Sequence, residues 1–348
     1  MTSQTEPHTY REILTQPETW RATLRALQPR ADDVQAWASQ GHDGATFIGC
    51  GSTYYLSLST SRVWQALMRE QVQTLPSSEA WLFPELLTTG GSPLMLAHSR
   101  SGETTETLRA LDAYRQRSPL RPLVVTCKPD SQITDSDPFV VTAEQADEKS
   151  VAQTRSFTGM LLASQAVAAL AAANTEHLSQ LSNLPDHLEA LLPDYLQLAE
   201  RLGGDEQLDH FVFLGSGVNH GLACEAMLKM KEMSQSRSEA FHFLEYRHGP
   251  KATMTTSTLI VGLVSDQAKT EELRLIREAK SAGAHTLCIG SPGSDSLDLF
   301  DVSLPESLSD LSRGLLALPL LQLLAYHRAM ARGLNPDRPA NLDPAVLL

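Results

Sequence analysis

Hydrophobic and polar positions along the chain fall into two alternating textures. Short, nearly continuous apolar runs such as Pro93–His98 and Thr258–Val264 read as strands buried on both faces. Longer stretches with apolar residues every three or four positions, such as Thr105–Gln116 and Glu271–Ala282, read as helices with one face on a core. Strands that lack polar alternation and are separated by helices predict a parallel sheet covered on both sides.

The pattern occurs twice. Phe47-Ile-Gly-Cys-Gly-Ser52 is answered by Phe211-Val-Phe-Leu-Gly-Ser216, Ser78-Glu-Ala-Trp81 by Ser238-Glu-Ala-Phe241, and Thr105-Glu-Thr-Leu-Arg109 by Thr270-Glu-Glu-Leu-Arg274. Leu123–Cys127 and Thr286–Gly290 continue the series, in the same order and at a nearly constant offset. The expected fold is therefore α/β, with two tandem doubly wound parallel-sheet domains and extra terminal helices. We place a helical arm at 1–35, a first domain at 36–190, a second at 191–333 and a tail at 334–348.

Composition narrows the classes. With 348 residues, 42% hydrophobic and 20% charged, the chain is an ordinary globular protein with room for about two cores. Its 28 Lys and Arg against 41 Asp and Glu leave a charge of −13, which repels nucleic acid and anionic lipid, so neither is an expected partner. Cys50, Cys127, Cys224 and Cys288 are scattered without metal-ligand spacing; reduced thiols and no metal are expected. Met1–Pro7 has no signal pattern, and the greasiest stretches, Thr158–Ala173 and Gly314–Tyr326, are short and interrupted by Ser164, Gln165, Pro319 and Gln322. A cytoplasmic protein is expected.

The copies differ where chemistry would sit. After its third strand the first copy has Ser99-Arg-Ser-Gly-Glu-Thr104, whereas the second has Val264-Ser-Asp-Gln-Ala-Lys269. Small hydroxyl residues and a glycine before a helix can cradle a phosphate monoester, with Gly51-Ser52-Thr53 approaching from the neighbouring strand end. The same residues also suit plain helix capping. Gly49-x-Gly51 and Gly215-x-Gly217 resemble a dinucleotide fingerprint, but Tyr54 and His220 stand where its third glycine belongs.

In the second copy Glu225, Lys229 and Glu232 share one face of the helix-like segment Asn219–Gln235, a pattern that also fits a solvated salt-bridge stripe. Arg247-His-Gly-Pro-Lys251 reads as a turn presenting an imidazole. A phosphate anchor, a carboxylate base and a loop histidine are what interconversion of an aldose and a ketose requires: Glu232 to move a proton between C1 and C2, His248 to open the ring.

These motifs, with Glu148-x-x-Val-Ala-x-Thr154, Phe157-Thr158 and the tail Asn335–Leu342, resemble the sugar isomerase (SIS) family over nearly the whole chain, its amino-sugar synthases above all. The resemblance implies phosphate binding by Thr53, Ser99, Ser101 and Thr104, with Ser52 beside them and Arg100 in place of a common Gln. It implies Glu232 as the enolisation base, His248 as the ring-opening group, Lys229 and Glu225 as supports, and Val151 as a backbone contact to substrate. It also implies no cofactor, a small-molecule sugar phosphate as partner, and a homodimer with His248 shared across the interface. Two departures stand out. Residue 2 is Thr rather than Cys and no glutamine-hydrolysing domain precedes the duplication, so use of glutamine is not expected; and Pro344 stands where the family's synthases have a Schiff-base lysine.

The expected activity is a phosphosugar isomerase/deaminase taking glucosamine 6-phosphate to fructose 6-phosphate and ammonia. A fructosamine-6-phosphate deglycase, a plain isomerase and a non-catalytic phosphosugar sensor are the alternatives, the last disfavoured by the presence of both Glu232 and His248. His98, His220, His242 and His285 read as isolated packed or surface residues, with His98 near enough to Ser99 to line the pocket, and Trp20, Trp37, Trp64 and Trp81 read as core anchors.

Overall fold

The computed structural model describes residues 7–348 except 89, 136 and 294–296. Positions 1–6 of the expected arm, Thr2 among them, lie outside the described residues. The strands are β1 (Ala45–Gly49), β2 (Val72–Pro76), β3 (Leu94–His98), β4 (Leu123–Thr126), β5 (Phe139–Thr142), β6 (His210–Gly215), β7 (Arg237–Phe241), β8 (Thr258–Leu263), β9 (His285–Gly290) and β10 (Val302–Ser303). They form two five-stranded sheets, in the orders β2-β1-β3-β4-β5 and β7-β6-β8-β9-β10. Every pairing is parallel. The second order repeats the first with each strand advanced by five, so the duplication and the doubly wound α/β class both hold. Strands β1, β3, β4, β6 and β8 are buried at every residue, which is why their sequences show no polar alternation.

Both Gly-x-Gly pairs serve the turn from strand to helix. A Cβ on Gly49 would lie 2.4 Å from the Thr53 carbonyl oxygen, and one on Gly215 would lie 2.3 Å from that of Asn219. Gly51 and Gly217 sit at φ 54° and 56°, each capping the helix that follows, Ser52–Met68 and Val218–Ser234. The first glycine admits the close approach and the second supplies the left-handed backbone, so the motif is accounted for by folding alone.

The chain divides into two compact units. The first-sheet unit comprises Thr15–Glu148, Arg155–Pro185 and Asp343–Leu348; the second-sheet unit takes the chain up to Leu14, Lys149–Thr154 and Asp186–Leu342. In the first, the helix Arg155–Ala171 packs on Gln16–Leu27 and Ser52–Met68 and is buried almost throughout. Its Thr158 hydroxyl accepts a 3.0 Å hydrogen bond from the Trp20 indole and donates to Gln16 at 2.6 Å. In the second, Ala317–Ala331 packs on Val218–Ser234 in the same way. These are the two greasiest stretches of the sequence, apolar all round because they are central. Among the described residues no helix is long and apolar enough to cross a membrane.

The arm set apart as 1–35 divides between the units, since His8–Leu14 belongs to the second. The backbone amides of His8 and Thr9 and the Thr9 hydroxyl donate to the Asp337 carboxylate at 2.9, 2.8 and 2.7 Å. Glu12 accepts from the amides of Lys149 (2.6 Å) and Ser150 (3.2 Å). Burial alone would raise the Asp337 carboxyl, but these donors outweigh it and hold the group below its ordinary value. The short segment Lys149–Thr154 is thereby fixed between the first helix and the chain around Asp337.

Candidate active site

The first candidate region lies in the first-sheet unit, where β3 runs into the loop Ser99–Thr104 and then the helix Thr105–Arg115. Ser99 and Arg100 are buried, at 2% and 8% exposure. The Ser99 hydroxyl accepts from the Gly102 amide and the Ser101 hydroxyl from the Glu103 amide, both at 3.2 Å, so the serines hold the loop's own turn. Thr104 occupies the N-cap position yet makes no capping hydrogen bond through its side chain. Capping alone therefore does not account for its hydroxyl.

Gly102 has φ 67°, and a Cβ there would fall 1.8 Å from the Ser131 hydroxyl oxygen, while its carbonyl accepts the Ile133 amide at 2.9 Å. The variant Gly102→Ala is expected to lose about 1–2 kcal/mol from the left-handed backbone alone and to displace Ser131. It should lower Tm, and an unchanged Tm would show that the loop tolerates the methyl group.

Thr53 and Ser52 open the neighbouring helix and are buried. The Thr53 hydroxyl accepts from the Cys50 amide and donates to the Cys50 carbonyl, both at 2.9 Å, so it is committed to the turn. Arg100 donates through Nη2 to the Pro344 carbonyl at 2.7 Å. The Thr105 amide donates to the Val346 carbonyl at 3.3 Å, and the Leu348 amide donates to the Thr105 hydroxyl at 3.1 Å. Pro344–Leu348 thus runs along the loop and meets the first amide of the helix.

The second region lies in the second-sheet unit on the helix Val218–Ser234. Its spacing puts Glu225, Lys229 and Glu232 on one face, and that face is buried: side-chain exposure is 0%, 1% and 17%. The Lys229 ammonium lies 3.2 Å from Glu225 Oε1 and 2.5 Å from Glu232 Oε2. This excludes the solvated stripe. Burial pulls the Lys229 ammonium down, but the two carboxylates outweigh it and raise it above the ordinary lysine value, so it is charged at neutral pH. Glu232 is the member of the trio that reaches solvent.

His248 follows the short turn Glu245–Arg247 and is exposed. The buried Tyr246 anchors the turn in the core, and Arg247 pairs with Glu278 at 2.9 Å. Among the described residues no hydrogen bond or ion pair joins His248 to Glu225, Lys229 or Glu232. Val151 gives its amide to the Asp337 carbonyl at 3.1 Å, so its amide is engaged within the second-sheet unit.

The histidines expected to stand alone are more connected than that. His98 is fully buried, with Nδ1 2.8 Å from the Ser57 hydroxyl and Nε2 2.9 Å from that of Ser164; burial pushes its pKa down to about 3. It ties the end of β3 to two helices as a neutral group with no exposed surface. His220 and His242 stack with ring centroids 3.5 Å apart. No local pattern announces that contact, because 22 positions separate them. Burial also raises the thiols of all four free cysteines, leaving them poor nucleophiles.

Comparison with known proteins follows the duplication. The SIS domain family matches residues 43–170 and 206–306. Among curated proteins, the glutamine–fructose-6-phosphate aminotransferase (isomerizing) of Pyrobaculum aerophilum is 30% identical over 350 residues, covering 97% of this chain and 56% of that protein. That of a Nostoc species is 30% identical over 351 residues, covering 94% and 54%. The chain spans about half the length of the curated relatives it matches. Among solved structures, glucosamine-6-phosphate deaminase of Thermotoga maritima matches with a TM-score of 0.81 and 27% identity, over 98% of this chain and 100% of that one. Tagatose-6-phosphate ketose/aldose isomerase of Escherichia coli matches with a TM-score of 0.88 over 100% and 97%, a likeness of fold at 21% identity.

Proposed function

The chain belongs to the SIS domain family, and on that premise we propose that it is a phosphosugar isomerase and deaminase acting on glucosamine 6-phosphate, with fructose 6-phosphate and ammonia as products. The observation that carries this reading is the buried trio on the helix Val218–Ser234, in which a charged Lys229 holds Glu232 in place at the edge of the core. A carboxylate so held is suited to lifting a proton from one carbon and returning it to the next.

In this reading the hydroxyls of Ser101 and Thr104 and the amides of their loop take the phosphate, with the buried Arg100 supplying charge. The phosphate does no chemistry; its binding energy orients the sugar. His248 carries the proton between ring oxygen and anomeric hydroxyl when the ring opens. Glu232 then removes the proton from C2 and delivers it to C1. The nitrogen on C2 becomes an imine, which adds water and leaves as ammonia, so one water is consumed per ammonia released. Lys229 and Glu225 position the base, and Val151 touches the substrate through its backbone. A homodimer in which each His248 serves the partner's site belongs to the same reading.

Purified protein incubated with glucosamine 6-phosphate should release ammonia and fructose 6-phosphate in equal amounts. Fructosamine 6-phosphate and fructose 6-phosphate assayed alongside separate the deglycase and the plain isomerase. Tight binding of these sugars with turnover of none would overturn an enzymatic role and leave a sensor.

A further inference from the structure

The second-sheet unit repeats the turn that in the first unit forms the Ser99–Thr104 loop, and the repeat fills it differently. The helix Lys269–Ser281 follows β8 as Thr105–Arg115 follows β3. The paired motifs Thr105–Arg109 and Thr270–Arg274 set Ser265 against Arg100 and Glu272 against Thr107, and the structurally matching turns Gly49-x-Gly51 and Gly215-x-Gly217 set Ser216 against Cys50. In the first copy the Cys50 sulfur lies 3.6 Å from the Thr107 hydroxyl; in the second a serine and a buried carboxylate stand at the matching positions.

The backbone donors of the second loop converge on carboxylates. The Ser265 amide donates to Glu272 Oε2 at 2.7 Å, with the Ser265 hydroxyl on the same oxygen at 3.1 Å. The Asp266 amide donates to both oxygens of Asp310 at 3.0 and 2.8 Å, and the Gln267 amide reaches Oδ2 at 3.4 Å. Three successive amides aimed at anionic oxygens form a nest of the kind that binds phosphate. Cations surround it: Arg313, at 4% side-chain exposure, lies 2.7 Å from Asp266 and 3.3 Å from Asp310, and Lys269 lies 3.0 Å from Asp266. Glu272 is fully buried, and its Oε1, like Asn219 Oδ1, has no hydrogen-bond partner among the described residues.

We propose that this is the second copy of the anion nest, closed by the chain's own carboxylates, with Asp310 as the outer plug and Glu272 beneath it, and that removing Asp310 opens a site for inorganic phosphate or a phosphate monoester. A carboxylate tethered next to its donors acts at a high effective concentration and holds off free phosphate. Asp310 retains 23% side-chain exposure, so its place is reachable from solvent, whereas Glu272 is sealed. The inference concerns the loop's own geometry and does not depend on the reaction proposed above.

The test uses inorganic phosphate against chloride at equal ionic strength, with Tm as the readout. Ser101→Ala/Thr104→Ala should lose the phosphate-dependent rise of the wild type, and adding Asp310→Ala to that pair should bring the rise back. Lys269→Ala on top should diminish it again. A folded triple variant with no phosphate-dependent rise overturns the proposal. Should the triple variant not fold unaided, recovery on refolding in phosphate but not in chloride supports the proposal, and equal failure in both overturns it. If the Ser101/Thr104 pair keeps the full wild-type response, the error lies in the assignment of the first loop, and Asp310→Ala in the wild-type background then decides the question by whether it adds a second phosphate per chain in calorimetric titration.

Discussion

Lys229→Met is expected to destabilise the protein by about 3–5 kcal/mol at neutral pH, the usual consequence of removing one member of a buried ion pair. The ammonium is buried between two carboxylates, and the deeper of these, Glu225, is at 0% exposure. Without the lysine a carboxylate must stay charged in the core or take up a proton, and either outcome opposes folding at pH 7. Urea unfolding would measure the deficit. It should narrow as the pH is lowered, because protonation removes the orphaned charge. Glu225→Gln added to Lys229→Met should restore a large part of the loss, since the only carboxylate then left without its lysine is Glu232, which reaches solvent. In the wild type the sign runs the other way: the folded-state pKa of Lys229 is raised, so its contribution is full below the ordinary value of 10.5 and disappears as pH rises through the higher folded value. A Lys229→Met variant within about 1 kcal/mol of wild type, a loss no larger than that of an exposed pair, would mean that the trio is not sealed from water.

Much of the fold is written in short-range pattern. Continuous apolar strands announce two-sided burial, and the recurrence of Gly-x-Gly at matching places marks two turns that need the same backbone, φ 54° and 56°. The spacing of Glu225, Lys229 and Glu232 placed them on one helix face, but spacing is blind to whether that face is wet or dry. Whether a helix face is buried depends on what packs against the helix, and one neighbour of this helix, Ala317–Ala331, lies nearly a hundred residues further on. The same limit hides the clasp of Thr9 on Asp337, 328 positions apart, and with it the allotment of the first helix to the second-sheet unit. Side-chain direction is likewise silent in sequence: the Thr53 hydroxyl turns back to Cys50, and the Arg100 guanidinium meets Pro344. Asp310 and Arg313 left no signal because their partners lie on a loop more than forty residues earlier.

Glu232→Gln should reduce turnover about 10³–10⁴-fold, near the upper end of what a positioned general base contributes, while leaving affinity for a phosphosugar nearly unchanged. Glutamine has the same shape, and its amide oxygen can accept the hydrogen bond that Lys229 now gives the carboxylate at 2.5 Å. Fold and binding are therefore preserved while the capacity to take a proton is lost. Glu232→Ala removes the partner of a buried ammonium as well, so it should lower both turnover and stability, and the contrast between the two variants separates chemistry from structure. The sharper readout is exchange of the C2 proton of glucosamine 6-phosphate with deuterium from solvent, which reports proton abstraction even when product release limits turnover. Wild type should exchange and Glu232→Gln should not. Exchange at the wild-type rate in Glu232→Gln would transfer the base role to another group. Loss of phosphosugar binding in that variant, with its Tm unchanged, would make Glu232 a binding residue instead.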